Sequence, residues 1–212
     1  MKPTILITSG PTREYIDPVR YISNASSGKM GSALANAALK KAAKVIVISG
    51  PASIKYPKNI KLIEVVSAKE MFAEAKKNFP KADIIIGAAA VSDFRPSNPS
   101  NNKIKKSDKL LKIKLTQNPD ILKELGSKKD GKVLTGFALE TKDLLNSAKK
   151  KLLEKNLDLI VANSPDSIGS DSSQILIIDR SGKILKLKGG KNILSKRIID
   201  ESIRIWKNNK TC

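Results

Sequence analysis

Histidine is absent from the 212 residues, and cysteine occurs once, as the terminal Cys212. Without histidine there is no Ser–His–Asp or Cys–His nucleophile and no His-ligated metal. A lone cysteine allows neither an internal disulfide nor a Cys-based metal site. Catalysis must therefore rest on carboxylates, lysines, amides and backbone dipoles. Aromatic residues are 4% of the chain, too few for a stacking platform under single-stranded nucleic acid. Acidic residues are scarce: 20 Asp and Glu face 40 Lys and Arg, a formal charge of +20. Such an excess suits an anionic partner. Only Arg13, Arg20, Arg95, Arg180, Arg197 and Arg204 are arginines, however, and base-edge and bidentate phosphate recognition favour arginine. The lysines are spread along the chain, as on a solvated surface. Small anionic substrates are therefore expected, and no nucleic acid. No apolar run approaches membrane-spanning length. The opening "MKPTILITSG" is too short for a signal peptide, so a cytoplasmic protein with no membrane partner is expected.

What is present is an alternation. "TILIT" (4–8), "KVIVIS" (44–49), "IKLIEV" (60–65), "DIIIGAA" (83–89), "KVLTGF" (132–137) and "DLIVAN" (158–163) are short apolar runs rich in β-branched residues, the pattern of buried parallel strands. In 29–41, Met30, Ala33, Leu34, Ala37 and Ala38 recur at helical spacing, and similar stretches run through 68–78, 143–155 and 192–207. Strands alternating with helices predict an α/β, doubly wound, mostly parallel sheet in one domain over 1–212. Near the end "ILIID" and "KILKL", joined through Arg180, Ser181 and Gly182, predict a hairpin before the last helix. Residues 95–117 break the alternation. Their Pro/Ser/Asn start, basic middle and alternating end predict a mobile loop followed by a strand-like arm. The arm ends at "QNPDIL", where Asn118 is the expected N-cap, Pro119 the first helical residue, and Asp120 a favourable charge at the positive helix end.

In "NASSGKMG" (24–31), Ser26, Gly28 and Gly31 hold the spacing of the dinucleotide-binding G-x-G-x-x-G. That turn normally follows the first strand at once, and an acidic residue closes the second strand to hold the ribose. Here a long polar segment intervenes, and the second strand ends in Ser49 and Gly50. A P-loop is also excluded, since Met30 follows "GK" where Ser or Thr is required. Two readings stand open. Free backbone N–H groups at 28–31, with the Ser26 and Ser27 hydroxyls, favour an anion. Alternatively the glycines let the helix start pack closely on the sheet.

The intervening "SGPTREYIDPVRYISN" carries Thr12, Arg13, Glu14, Asp17, Arg20 and Asn24 beyond the first strand's carboxyl end, where ligands of open α/β sheets bind. The fourth strand runs into "GAAAVSDF". Its small residues let a flat ring approach the backbone and Asp93 can hold ribose hydroxyls, or they pack a helix and Asp93 caps a loop.

Taken together, "ITSGPTREYIDPVRYISNASSGKMG", "AAAVSDFRP", "KIKK", "NPDIL", "GFALET" and "KNLDLIVAN", in this order, resemble the phosphopantothenate–cysteine ligase (phosphopantothenoylcysteine synthetase) domain of bacterial coenzyme A biosynthesis. The resemblance spans nearly the whole chain and implies a Rossmann-like fold and a homodimer. It also implies a ligase joining 4′-phosphopantothenate to L-cysteine through an acyl-cytidylate formed from CTP, with Mg²⁺ accompanying the nucleotide. Carried over residue by residue, it implies that Gly87, Ala88 and Ala89 read the cytosine and that Asp93 holds the nucleotide. It places further CTP contacts at Pro119, Asp120, Ile121, Leu122, Phe137, Lys151 and Lys155. Lys103, first of the "KIKK" lysines, is the implied catalytic cation, and Asn24 the residue that recognises the acyl intermediate. Arg20 and Asn24 are expected to bind substrate, and Ser26, Ser27 and Gly28 phosphate. Metal ligands are not implied. Leu139 stands where the family usually has alanine, and "IGSDSSQ" departs from the family pattern. The family often fuses this domain to a flavin-dependent decarboxylase that uses a cysteine acid and histidines, so no flavin is expected on this chain.

Overall fold

β-Branched runs with no polar face can be satisfied only where both sheet faces are covered. The computed structural model, which describes residues 2–41, 44–106, 110–139, 143–163 and 172–211, places five of the six runs there; the run at 60–65 lies instead at the sheet edge, with Lys61, Leu62 and Glu64 exposed. In chain order the elements begin β1 (Thr4–Ser9), β2 (Arg13–Tyr15), β3 (Tyr21–Ser23), α1 (Lys29–Leu39), β4 (Lys44–Ser49), β5 (Lys61–Glu64) and α2 (Ala68–Asn78). There follow β6 (Ile84–Gly87), β7 (Phe94–Pro96), β8 (Leu115–Gln117), α3 (Ile121–Gly126), β9 (Val133–Leu139) and α4 (Leu144–Glu154). The chain closes with β10 (Leu159–Asn163), β11 (Ser172–Asp179), β12 (Ile184–Gly190) and α5 (Lys191–Thr211).

The main sheet runs β12-β11-β10-β9-β6-β1-β4-β5. From β10 to β5 all pairs are parallel; β11 and β12 add the antiparallel hairpin at one edge. This is a doubly wound α/β, Rossmann-like sheet, with the strand order reversing beside β1. One core packs α1 and α5 on one face, through Leu34, Ala38, Leu194, Ile198 and Trp206. The other packs α2, α3 and α4, through Met71, Ala75, Leu125, Ala148 and Leu152. Among the described residues no helix is long and apolar enough to cross a membrane.

The hairpin, the alternation and helix 68–78 match the sequence expectation. Ser67 caps that helix by accepting from the Glu70 amide at 3.2 Å, and the Glu70 carboxylate in turn accepts from the Ser67 hydroxyl at 3.0 Å and from the preceding Val66 amide at 2.8 Å. The last helix runs to Thr211, beyond the expected 207. The arm differs. Among its described residues only its ends form strands, β7 and β8 paired antiparallel, with Ser97 donating to the Lys114 carbonyl at 2.9 Å. Residues 107–109 of the arm, Glu140 and Thr141 of "GFALET", 168–171 of "IGSDSSQ" and Cys212 lie outside the described residues.

The N-cap of α3 also needs correction. It is Asp120, whose carboxylate accepts from the Lys123 amide at 3.1 Å. Asn118 is occupied elsewhere: its side chain donates to the Ser92 carbonyl at 2.8 Å and accepts from Arg95 at 3.0 Å. A side chain pinned across the arm's base cannot turn back to the helix.

Candidate active site

The site is built where β1 and β6 end. Beyond the strands their loops keep pairing: Ala88 donates to Thr8 at 3.0 Å, Ala90 to Gly10 at 2.9 Å, and Thr12 to Ala90 at 3.3 Å. The switch-point crevice is thus sealed by backbone, and ligand space lies on either side of the 88–90 segment. Thr12, fully buried, also accepts from the Ser92 amide at 3.0 Å through Oγ1. Asn24 directs its amide nitrogen at the Ala90 and Val91 carbonyls, 3.3 and 3.0 Å away. The polar insertion therefore anchors the 88–93 segment from outside the sheet.

On the α3/α4 side a cavity of about 180 Å³ is lined by Gly87, Ala89, Asp93, Pro119, Asp120, Ile121, Leu122, Phe137 and Lys155. Nine of the expected nucleotide contacts thus converge there from four separate segments. Gly87 has a packing reason too: a Cβ would lie 2.7 Å from Leu122 Cδ1. Lys155 follows the last turn of α4 and pairs with Asp120 at 2.8 Å. Asp120 is exposed and Lys155 half-buried, so solvent screening leaves the pair adding at most about 1 kcal/mol to folding. Thr8, Val91, Ser92 and Asn118 line the same cavity and were not singled out as ligand contacts from sequence. For Ser92 the available signal was its place immediately before Asp93 in "AAAVSDF".

On the α1/α5 side a second cavity, about 240 Å³, holds Ser26, Ser27, Gly28 and Gly31 with Ala88, Ala89, Ala90 and Phe137. Ala89 and Phe137 line both cavities, so the glycine-rich turn and the first cavity share a wall. Gly28 is left-handed, with φ 73°. The Ser26 and Ser27 hydroxyls accept from the Gly28 and Lys29 amides only at 3.4 Å, long and weak bonds. The packing reading holds for Gly31, where an added Cβ would fall 1.8 Å from Ser9 Oγ. Asn24, Ser26 and Ser27 also line a broad cleft of about 970 Å³ over the ends of β4 and β5.

Lys103 and Arg20 are brought together, but along a different cleft, with Val19, Ile104, Lys105 and Lys106. What holds them is Asp17, 1% exposed. Its carboxylate accepts from the Val19 and Arg20 amides at 2.9 and 2.8 Å, from Arg20 Nε at 3.0 Å and from the Ile104 amide at 3.1 Å. Arg20 donates onward to the Ile104 carbonyl, and the Ser100 amide to Ile16 at 2.8 Å. Burial alone would raise the Asp17 pKa, but the bonds from Val19, Ile104 and Arg20 prevail and hold it well below the usual carboxylate range. The arm up to Lys106 is therefore docked on the polar insertion, and Lys103 stands exposed beside Arg20. Lys151 lies on α4 one turn before Lys155 and outside the lining of the cavity that holds Lys155.

Among the described residues no group of three or more Asp, Glu or Cys side chains is placed to hold a metal ion.

Residues 1–205 match the family model described as the DNA/pantothenate metabolism flavoprotein C-terminal domain. The chain is 46% identical over 183 residues to the coenzyme A biosynthesis bifunctional protein CoaBC of Bacillus subtilis, covering 84% of this chain and 45% of that protein. To the same-named protein of Escherichia coli K12 it is 41% identical over 209 residues, covering 94% and 51%. The chain thus spans about half the length of the curated relatives it matches. A crystal structure of the C-terminal domain of a coenzyme A biosynthesis bifunctional protein CoaBC superposes with a TM-score of 0.84 at 35% identity, covering 97% of this chain and 96% of that one.

Proposed function

The chain belongs to the family of the DNA/pantothenate metabolism flavoprotein C-terminal domain, and from that membership we propose that residues 1–212 form one ligase domain joining 4′-phosphopantothenate to L-cysteine with CTP. The observation that carries the reading is the convergence of Gly87, Ala89, Asp93, Pro119–Leu122, Phe137 and Lys155 on one cavity at the carboxyl ends of the strands. Small residues and Phe137 offer flat apolar walls to a pyrimidine. Exposed backbone polar groups can match one ring edge and leave a wrong base with unpaired groups, which is costly when buried. Asp93 suits the ribose, and Lys155 the phosphates once it releases Asp120.

A carboxylate oxygen of phosphopantothenate attacks the α-phosphorus, the bond to the β,γ-phosphates breaks, and pyrophosphate leaves. The amine of cysteine then attacks the acyl carbon, loses a proton, and displaces CMP. Lys103, swinging over from beside Arg20, meets the negative charge that builds in the first step. Asn24 presents its amide to the acyl intermediate after releasing the Ala90 and Val91 carbonyls. The start of α1, where the Gly28 and Lys29 amides are bonded only weakly to the Ser26 and Ser27 hydroxyls, suits a phosphate. Arg20 and Asn24 bind the substrate beside it, and Lys151 supplements Lys155.

The described residues do not build a protein-only magnesium site, so Mg²⁺ fits as an ion held chiefly by the nucleotide phosphates. A cytoplasmic homodimer completes the reading. Pyrophosphate release with phosphopantothenate and cysteine tests it, with CTP compared against ATP. A clear preference for CTP is expected; equal turnover with ATP refutes the base-reading role of 87–89.

A further inference from the structure

The cavity assigned above to the nucleotide contains one group that no role yet accounts for. Ser92 lines it and is 4% exposed. Its backbone is fully used, the amide bonding to Thr12 Oγ1 at 3.0 Å and the carbonyl accepting from Asn118 Nδ2 at 2.8 Å. Its hydroxyl is different. Among the described residues it is the single buried side-chain polar atom with no hydrogen-bond partner.

Buried polar groups are almost always paired, because an orphan loses its bonds to water and gains nothing. Two anchors hold Ser92 in register, so the orphan is not a by-product of a loose loop. Thr12 and Asn118 reach it from positions 80 and 26 residues away in the chain. Rotation about the serine Cα–Cβ bond is a step between staggered rotamers, so the hydroxyl of this lining residue can redirect without moving the anchored backbone. Asp93 and Asp120 are the exposed residues of the lining, whereas Ser92 is buried. Ser92 stands on the same segment as Gly87 and Ala89.

We propose that the Ser92 hydroxyl is a direct nucleotide contact, completing its hydrogen bonding on the polar edge of the pyrimidine ring. This rests on the reading of the cavity as the CTP site. The free protein carries an unpaired hydroxyl that the nucleotide satisfies, so part of the binding energy comes from relieving a defect in the empty site.

The test is calorimetric titration of CTP into the parent and into Ser92→Ala and Ser92→Cys, with thermal unfolding of each protein free of nucleotide. Loss of one hydrogen bond should raise Kd roughly threefold to tenfold in both variants, since a thiol is a weak donor. Free Ser92→Ala should melt at or slightly above the parent, because it removes an unsatisfied group without creating one. An unchanged Kd overturns the proposal. So does a clear drop in free-state melting temperature, which would mean that the hydroxyl is bonded within the protein. If the parent itself binds no CTP, the nucleotide reading fails together with the Ser92 contact. If the parent binds CTP and Ser92→Ala binds it equally, only the Ser92 contact fails.

Discussion

Gly31 gives the sharpest structural test of how the glycine-rich turn is held. It sits in the first turn of α1, against the end of β1. A Cβ there would lie 1.8 Å from Ser9 Oγ, 2.4 Å from Ser9 Cβ and 3.3 Å from Ser9 Cα. Comfortable carbon–carbon separation is about 3.5–4.0 Å, so helix and strand must part. Neither neighbour can yield easily. Ser9 is fully buried in a central strand, and its hydroxyl accepts from Tyr56 at 2.7 Å. Overpacking of this kind typically costs about 1–3 kcal/mol. Breaking the Tyr56 bond adds about 0.5–1.5 kcal/mol. For Gly31→Ala a total near 2–4 kcal/mol is expected, or roughly 5–15 °C in melting temperature for a chain of this length. Differential scanning calorimetry measures it. Gly31→Ala combined with Ser9→Gly removes the obstructing atoms, so the double variant should recover part of the loss despite the added strand glycine. A single variant melting within 2 °C of the parent, or a double variant showing simple additivity of losses, refutes the packing argument for this glycine.

Two further outcomes follow from the arm. Lys103 is exposed, so Lys103→Gln should leave the melting temperature near the parent's while slowing pyrophosphate release roughly a hundred- to a thousandfold. Lys106→Gln should do less, and parental rates in both would remove the proposed cation. Asp17 has its carboxyl pKa depressed by the bonds that also dock the arm, so its stabilising contribution is fully present above the unfolded value of about 3.9 and fades as pH falls below about 4 toward the folded value. Hydrogen exchange at the Ile104 amide should therefore show constant protection from about pH 5 to 8 and a loss in stronger acid. Asp17→Asn should weaken that protection throughout, because its single amide oxygen can accept from Ile104 or from the Val19 and Arg20 amides but not from both sides, and the charge opposite Arg20 is gone; protection unchanged in that variant removes Asp17 as the docking point.

Much of the fold was legible because its signals are local. The runs at 4–8, 44–49 and 158–163 carry β-branched residues on both faces, and no surface strand tolerates that. Ser67 and Glu70 stand three apart, so the N-cap of α2 depends only on near neighbours in the chain. The hairpin after β11 needs only the turn at 180–182 between two apolar runs. The segments of the candidate site were legible as motifs, and nine of their residues do meet in one cavity.

What the tertiary structure decided is which distant groups meet. Nothing local says that β6 lies beside β1, so nothing local says that Thr12 bonds to Ser92 or that Asp17 clamps Ile104, 87 positions away. Asn118 had the right chemistry for a cap, but the arm's base claimed its side chain first. Gly31 could serve an anion or a close contact in sequence; only the 1.8 Å approach to Ser9 makes the contact obligatory. The orphan hydroxyl of Ser92 is a fact about every atom around it, not about serine. Periodicity and capping depend on neighbours within a turn or a pleat and are therefore carried by the order of residues. Pairing and satisfaction of buried groups depend on strand order and loop closure, which arise only when the whole chain is packed.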